Sequence, residues 1–500
     1  DYWLTKPFTG LLGFLLAMYL MFFFAINVAN VFIDFLDIAA GALFVNGVSQ
    51  FLGWLGAPDW LSVILADGVG GGIQTVATFV PVIGFLFLFL TLLEESGYMS
   101  RAAFVMNDWL QGIGLSGKAF VPLLVSFGCN VPAVMGARTL ENRRDRILTI
   151  LMMPFMSCGA RLAIFAVFAS AFFPTGGATI IFVLYLTGIL VAVLSGFVMR
   201  KTLLKGKPAP LVMELPSYHV PRLGALNRQA WLRLKSFLTR ASKVIIPVCV
   251  IIGALNAITV TGKLAHENHQ QSLLSEVGRA VTPVFHPMGI DQNNWPATVG
   301  LTTGILAKEV VVGTLNTLYS EVGNLTSQEA NQFNLWRGLE AAVLSVPQNL
   351  SQLGDAFKNP VAADEAPHDM NKTAYGIMFQ RFGGKAAAFA YLLFVLLYFP
   401  CVATMAAMRR EIGRGWAVFS VLWSTGLAYV LAVTCYQLLT LTAHPISSAL
   451  WSGSLLTLLA FTVVGLRLYA SGGIKGKKRE PEKAGGKPEF KRDRITLRGH

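Results

Sequence analysis

Apolar segments of membrane-spanning length follow one another along almost the whole chain. A helix needs about 20 mainly apolar residues to cross the hydrocarbon layer of a bilayer. Eight segments come close to that length or exceed it: residues 8–33, 72–93, 147–173, 178–199, 244–262, 386–407, 416–440 and 447–470. The pattern therefore predicts an all-α polytopic membrane protein with about eight transmembrane helices.

Two further apolar segments are interrupted by residues that do not suit a membrane helix. Segment 119–137 contains residues 126–132 (SFGCNVP), and segment 296–319 contains residues 304–309 (GILAKE). Backbone at membrane depth must satisfy its own hydrogen bonds, so such breaks occur only where protein or a water-filled path surrounds them. A matched pair of interrupted segments in two halves of a chain indicates the substrate site of a transporter.

The placement of Lys and Arg predicts the side of the membrane on which each loop lies. No Lys or Arg occurs between Lys6 and Arg101. The loop 34–71 is therefore expected outside, as an interfacial hairpin that carries Trp54 and Trp60. The N-terminus is expected inside.

The charges around the two interrupted segments place these segments on opposite faces. Basic residues flank segment 119–137 on both sides, which predicts a re-entrant hairpin from the cytoplasmic face. The loops 263–295 and 320–385 hold more acidic than basic residues, so they are expected outside. Segment 296–319 is then a second re-entrant hairpin, which enters from the outer face.

The two halves of the chain share weak internal similarity. Three features correspond: the span prolines Pro81 and Pro247, the break glycines Gly128 and Gly304, and the Pro-Cys interruptions Pro154/Cys158 and Pro400/Cys401. By charge, the span 72–93 runs inward and the span 244–262 runs outward. This combination predicts an inverted repeat of two halves, the organisation used for alternating access.

Composition agrees with a membrane protein and adds a basic tail. Hydrophobic residues make up 54% of the 500 residues and charged residues only 13%, with a formal net charge of +13. Residues 471–500 hold ten Lys/Arg and four Asp/Glu. We expect this tail to be disordered, cytoplasmic and attracted to anionic lipid, and nucleic-acid binding is not predicted.

The five cysteines form no CxxC pair, so neither a zinc ribbon nor a disulfide framework is predicted. Cys249 and Cys435 are interpreted as packing residues. The other three stand beside helix breaks, where a thiol and freed carbonyls can face one cavity. Such ligands suit a divalent transition metal such as Fe(II) better than Mg²⁺ or Ca²⁺.

Charged residues inside membrane segments usually reflect function or pairing. Arg161 is expected to have a structural role, in which it holds carbonyls or a carboxylate. For Glu309 two interpretations stay open: a cation ligand, or the partner of a neighbouring base such as Lys308.

At these residues the chain resembles the FeoB family, the bacterial ferrous iron transport protein B, over about residues 1–470. The resemblance rests on four motifs: residues 127–132 (FGCNVP), 157–162 (SCGARL), 214–216 (ELP) and 307–311 (AKEVV). It implies two gate regions similar to those of concentrative nucleoside transporters. It also implies import of Fe(II) across the bacterial inner membrane, controlled by an N-terminal cytoplasmic G domain.

The chain differs from that family pattern because it contains no G-x-x-x-x-G-K-[ST] phosphate loop. We therefore expect the permease portion alone: a transporter rather than an enzyme, with both termini cytoplasmic and no tightly bound cofactor. GTP would act only through the G domain. The resemblance further implies small cytoplasmic Feo accessory proteins as partners, and a homo-oligomer stays open.

The expected organisation combines the resemblance with the spans. It comprises a first helix and outer hairpin (1–71), a first gate repeat (72–173), a helix and basic cytoplasmic loop (174–243), a second gate repeat (244–407), C-terminal helices (408–470) and the basic tail (471–500).

The resulting hypothesis is Fe(II) transport past a set of ligands near the membrane midplane. The resemblance implies Cys129, Cys158 and Cys401 as ligands, and the hypothesis adds Glu309 with Asn130 and Met156. Two alternatives stay open. A nucleoside-type solute carrier would use polar side chains at the breaks, and a membrane anchor for a GTPase would transport nothing.

Overall fold

The computed structural model describes residues 7–173, 176–206, 208, 221–259, 272–306, 308, 310–322, 335–358, 372–442 and 444–473. These residues are almost entirely helical, and one isolated β-bridge joins Thr259 to Ser272. Eight helical stretches among them are long and apolar enough to cross a membrane. The predicted all-α membrane fold is thereby confirmed.

The helices are numbered in chain order. In the first half they are α1 (Pro7–Ala40), α2 (Gly47–Trp54), α3 (Asp59–Ser62), α4 (Gly71–Glu95), α5 (Tyr98–Val105), α6 (Asn107–Ile113), α7 (Phe120–Gly128), α8 (Asn130–Gly136), α9 (Arg143–Met152), α10 (Gly159–Phe172) and α11 (Gly177–Thr202). In the second half they are α12 (Leu223–Ala257), α13 (Leu273–Phe285), α14 (Trp295–Leu306), α15 (Val310–Val322), α16 (Leu335–Lys358), α17 (Lys372–Arg381), α18 (Lys385–Leu397), α19 (Val402–Ile412), α20 (Arg414–Leu439) and α21 (Pro445–Gly473).

The segment 34–71, expected as an outer loop with an interfacial hairpin, is a helical hairpin. A π-helix at Gly41–Asn46 joins α1 to α2, and a second at Val63–Gly70 joins α3 to α4. Charges here are sparse and apolar residues continue, so nothing ends the helices before Trp54. The chain reverses in a short turn, and Trp54 at its tip is 84% exposed.

Two other expected loops also contain helices. A basic loop up to residue 243 and a span at 244–262 were predicted separately, whereas the stretch from Leu223 to Ala257 is one helix, α12. No Gly or Pro separates the two stretches, so the helix continues. The predicted outer loop 320–385 contains α16 and α17, and α16 packs along α1, where Asn349 donates to Asp34 at 2.7 Å.

The first interrupted segment folds as a re-entrant hairpin. Helices α7 and α8 have nine and seven residues, or about 14 and 10 Å at 1.5 Å per residue. Neither can cross a hydrocarbon layer of about 30 Å, and the two pack against each other. Lys118 before α7 forms a salt bridge of 3.0 Å with Glu141 after α8, so the two ends meet at one face.

Basic side chains gather around the base of this hairpin. Arg200 donates to Gly112 O at 2.8 Å, and Arg144 donates to Gly114 O at 2.9 Å. Arg138 contacts Glu411 at the end of α19. We call this end of the bundle the basic end.

The second interrupted segment repeats this plan. Helices α14 and α15 flank residues 307–309 and pack against each other. Their far ends are joined because the Tyr319 hydroxyl donates to Asn294 Oδ1 at 2.6 Å, with both side chains fully buried. The second segment is therefore also a re-entrant hairpin.

Replacing Tyr319 with phenylalanine is expected to lower the free energy of unfolding by about 1–2 kcal/mol, because the buried Asn294 amide loses its donor. Thermal unfolding of the purified protein measures the change. Tyr469→Phe is the control, since Tyr469 is exposed. Equal midpoints for the two variants would contradict the assigned contact.

The matching helices of the two halves, α4 and α12, lie antiparallel. Near the basic end, Arg233 of α12 pairs with Glu94 of α4 at 2.7 Å. Towards the other end the contacts are tight because glycines permit them. A Cβ atom on Gly72 would lie 3.1 Å from Ile246 Cα, and one on Gly253 would lie 3.5 Å from Gly68 Cα. This antiparallel pair is what an inverted repeat requires.

The core lies around the interrupted helix α18, where all residues from Tyr391 to Leu397 are buried. Aromatic rings pack there across the two halves. Phe168 of α10 stacks on Tyr391 with centroids 4.9 Å apart and meets Phe382 edge-on at 5.3 Å. This packing holds the two halves together beside the breaks.

Candidate functional site

Three cysteines occupy the same structural position, the residue directly before a helix that begins inside the bundle. Cys129 precedes α8, Cys158 precedes α10 and Cys401 precedes α19, each with an extended backbone. All three side chains are half-buried and outside any disulfide. A helix start leaves N–H groups without intrahelical partners, and the end of the preceding helix leaves carbonyls. Each break therefore offers a thiol beside polar backbone.

Asn130 links the first hairpin to the neighbouring break. With its amide nitrogen facing two carbonyls, it donates to Ser126 O at 3.0 Å and to Met153 O at 3.2 Å. The two breaks of this half also touch directly, because a Cβ atom on Gly159 would lie 3.9 Å from Gly128 O. The structure thus gives Asn130 a bridging role between breaks, and its predicted role as a metal ligand stays a prediction.

Arg161 joins the interrupted helices of the two halves. Its fully buried guanidinium donates to Pro154 O at 2.8 Å and Met156 O at 2.9 Å in its own half. A third bond of 3.4 Å reaches Tyr398 O in the other half. A cation suits this place because carbonyls at helix ends are partly negative. The predicted structural role of Arg161 is confirmed, and the groups it holds are carbonyls.

Met156 contributes backbone rather than sulfur to these contacts. Its carbonyl accepts from Arg161, while its side chain is buried in the hydrophobic core. Its predicted assistance in metal binding remains untested.

Tyr398 contacts several elements around the break of the second half, and the sequence analysis did not predict this role. Its hydroxyl donates to Leu301 O in α14 at 3.2 Å, and its carbonyl accepts from Arg161. Lys308, at the tip of the second hairpin, lies 4.5 Å above its ring and 3.5 Å from Val395 O. The available signal was a tyrosine two residues before a Pro-Cys break.

The second hairpin tip therefore caps a broken helix with a cation. Val395 lies in the last turn of α18, where carbonyls lack intrahelical donors. Lys308 is almost fully buried against it. Glu309, the predicted ligand next to it, lies outside the described residues, and so does the motif at 214–216.

Helices α8 and α19 lie side by side, one from each half. A cavity of about 40 Å³ separates them, lined by Val131 and Met135 on one side and by small residues of α19 on the other. At the basic end Arg138 Nε donates to Glu411 Oε1 at 2.6 Å.

The depth of two thiols follows from this pairing. Cys129 lies nine residues before Arg138, and Cys401 lies ten residues before Glu411. At about 1.5 Å of rise per residue, the two thiols stand at nearly the same depth, on opposite halves. Cys401 Sγ also lies 3.1 Å from the Thr404 hydroxyl.

The side chains at these breaks do not form a complete set of metal ligands in this structure. Among the residues that the structure describes, no three or more His, Cys, Asp or Glu side chains stand close enough together to hold a metal ion. The ligand set of Cys129, Cys158 and Cys401 with Glu309 therefore stays a prediction. What the structure provides is three helix starts, each with a thiol, linked through Asn130 and Arg161.

Comparisons with known proteins place this arrangement among gate-containing membrane proteins. A family model described as Gate, nucleoside recognition, matches residues 76–172 and 238–415. A second, described as the C terminus of ferrous iron transport protein B, matches residues 181–233. No solved structure gives a significant match.

Curated relatives are similar over nearly the whole chain. The Fe(2+) transporter FeoB of Legionella pneumophila (strain Paris) is 54% identical over 458 residues, which cover 91% of this chain and 61% of that protein. The Fe(2+) transporter FeoB of Escherichia coli (strain K12) is 50% identical over 469 residues, 92% of this chain and 60% of that protein. The chain spans about three fifths of the length of these relatives.

Proposed function

Because this chain belongs to the FeoB family, we propose that it forms the membrane path of a ferrous iron transporter. The observation that carries the proposal is the shared position of Cys129, Cys158 and Cys401, each before a helix that starts inside the membrane. Thiol ligands suit Fe(II) better than Mg²⁺ or Ca²⁺. Freed backbone groups beside each thiol supply further polar contacts for a moving ion.

In the proposed mechanism the ion passes between the two halves near the membrane midplane. The similar depth of Cys129 and Cys401 lets one ion contact a thiol from each half. Cys158 and Glu309 complete the set, with Asn130 and Met156 assisting. Relative movement of the halves then exposes the ion to one face at a time.

The basic end faces the cytoplasm in this proposal, because cytoplasmic loops are enriched in Lys and Arg. The relatives are longer than this chain, and the FeoB resemblance implies a G domain that uses GTP. We place its contact, and that of small accessory proteins, on the basic surfaces at 138–146 and 200–243. The membrane would be the bacterial inner membrane.

A second candidate function is transport of a nucleoside-type solute. The description of the Gate model favours it, and so do hydroxyl groups on the second hairpin, such as Thr302 and Thr303. A thiol at each of three breaks has no role in hydrogen bonding a nucleoside, so iron remains the first proposal. A pure membrane anchor predicts that changes at the breaks leave uptake untouched.

Uptake of radioactive Fe(II) by cells that make the full-length protein tests the proposal. The double variant Cys129→Ser/Cys401→Ser is expected to lose uptake at least about tenfold, the scale on which metal-site changes act. Serine keeps the size and removes the soft ligand, so folding should be unaffected. Cys435→Ser is the control, because this half-buried cysteine lies in α20 away from the breaks.

Wild-type uptake by the double variant would overturn the thiol path. The solute carrier would be favoured if the unchanged protein took up radioactive uridine, the double variant did not, and neither took up iron. The amount of folded protein in the membrane is measured for each variant.

A further inference from the structure

A second, larger cavity lies away from the basic end, between the two halves. It has a volume of about 300 Å³ and is called the outer cavity here. It is lined by Asp67, Gly71, Thr75, Cys249, Ile252, Gly253, Asn256, Leu274, Ser275, Val299, Thr303, Thr314 and Leu318. The second π-helix, α4, α12, α13 and both helices of the second hairpin thus all contribute to its wall.

The lining is mainly apolar, and several polar side chains interrupt it. It includes a carboxylate, a thiol, an amide and several hydroxyls. At about 30 Å³ per molecule, its volume corresponds to about ten waters. Polar groups of this kind at membrane depth normally face a water-filled route. The cavity can therefore receive an ion that keeps part of its hydration shell.

The polar residues of the outer cavity are spaced from its solvent-exposed opening, the mouth, to its inner end, the floor. Asp67 is exposed. It directly precedes Gly68, which is in close contact with Gly253. Cys249 lies one helical turn from Gly253, where its Cβ is 3.3 Å from the position of a Cβ on Gly72. Its side chain and that of Thr75 both line the cavity. Asp67 thus stands near the mouth and Cys249 further in.

The floor of the outer cavity points to the second hairpin tip. Thr303 lies on α14 four residues before Ala307, and Thr314 lies on α15 four residues after Val310. Each is therefore about one helical turn from the break at 307–309. The inner end of the outer cavity therefore lies about one helical turn from the tip where Lys308 contacts the break of α18.

The backbone around Asp67 also fits a binding role. Asp67 lies within the π-helix Val63–Gly70, and π-helical turns occur frequently at functional sites. Gly71 and Gly253 line the space without side chains. Substituting Gly70 would drive a side chain into the Phe44 carbonyl of the first π-helix, so the local geometry is fixed by packing.

We propose that the outer cavity is an extracytoplasmic chamber in which the Asp67 carboxylate and the Cys249 thiol hold a partly hydrated divalent transition-metal ion. This inference rests on the proposed function, because the ion continues to the three cysteine breaks. Carboxylate and sulfur together favour a transition metal over Mg²⁺. With water and hydroxyls completing its coordination, the ion binds weakly enough to move on.

Thiol labelling tests the chamber without relying on transport. Cells that make the full-length protein are converted to spheroplasts without oxygen and treated with a charged, membrane-impermeant methanethiosulfonate. Mass spectrometry then measures modification of Cys249. We expect modification from outside, and we expect Fe(II) to slow it while Mg²⁺ does not. In Asp67→Asn the labelling should persist and the protection by Fe(II) should be lost. Cys435 is the internal control, since it lies outside the cavity.

Iron uptake by the same cells separates the two proposals. Asp67→Asn is expected to raise the KM for Fe(II) about tenfold through lost electrostatic capture, with the maximal rate little changed. Normal uptake with unlabelled or unprotected Cys249 would overturn the chamber and leave the proposed function standing. Protection without any iron uptake would support the chamber and contradict the proposed function. Protection by uridine but not by Fe(II) would overturn the metal chamber.

Discussion

Replacing Arg161 with methionine is expected to lower the free energy of unfolding by about 3 kcal/mol. The change leaves three helix-end carbonyls, those of Pro154, Met156 and Tyr398, without the cation that they share. Methionine fills similar space, so the loss reflects hydrogen bonding and charge more than a void. Removing a buried charge also recovers a desolvation cost, which keeps the net effect below the sum of three lost bonds.

Arg200→Met is the matched control, because this guanidinium also donates to a carbonyl, Gly112 O at 2.8 Å, but at an exposed place. We expect it to change stability by less than about 1 kcal/mol. Arg161→Lys should fall between the two, since one ammonium cannot reproduce the planar fork. Denaturant titration of the purified protein measures all three. A stable, fully folded Arg161→Met protein would contradict the bridging role.

Replacing Gly304 with leucine is expected to cost about 3 kcal/mol of stability and to abolish iron uptake. A Cβ atom at Gly304 would meet the Tyr398 hydroxyl and would lie 2.7 Å from Val311 Cγ2. Tyr398 is almost fully buried and bonded to Leu301 O, so it cannot move aside freely. Overpacking typically costs 1–3 kcal/mol, and the disturbed buried hydrogen bond adds a similar amount.

Gly313→Leu is a control within the same hairpin, because a Cβ atom there meets nothing within 4 Å. We expect near-normal stability and uptake for it. The measurements are the thermal midpoint and radioactive Fe(II) uptake in parallel. If Gly304→Leu and Gly313→Leu had the same thermal midpoint and the same Fe(II) uptake, close packing of the hairpin on Tyr398 would not matter for the site.

Sequence reasoning located the breaks because membrane physics makes them conspicuous. A Gly-Cys-Asn-Val-Pro run or a Lys-Glu pair inside an apolar segment has few explanations in a bilayer. Counting Lys and Arg then predicted opposite faces for the two hairpins. The salt bridge between Lys118 and Glu141 shows that the first segment returns to the end at which it began. The cysteines at helix starts followed from the same pattern.

Tertiary contacts were beyond the reach of that reasoning. Tyr398 reads as one more aromatic residue in an apolar span, and only folding brings Arg161, Lys308 and Leu301 to it. The helical form of 34–71 was not predicted, because the count of Lys and Arg indicates a side of the membrane and not a secondary structure. Cys249 was interpreted as a packing residue because it stands alone in an apolar segment, away from any break. Asp67 and Thr75, which line the same cavity, lie on other helices.

The Arg138–Glu411 contact also affects how easily α8 and α19 separate at the basic end. The outer cavity has a volume of about 300 Å³, whereas the cavity between α8 and α19 has only about 40 Å³. Arg138 is half exposed at 52%, whereas its partner Glu411 is almost fully buried, so separating the pair leaves a buried carboxylate without its cation, at a typical cost of about 3–5 kcal/mol. If that contact alone held α8 and α19 together, fewer than about one molecule in a hundred would have them apart at equilibrium. A partner that binds at the basic end would therefore have to supply binding energy of that size to separate the two helices.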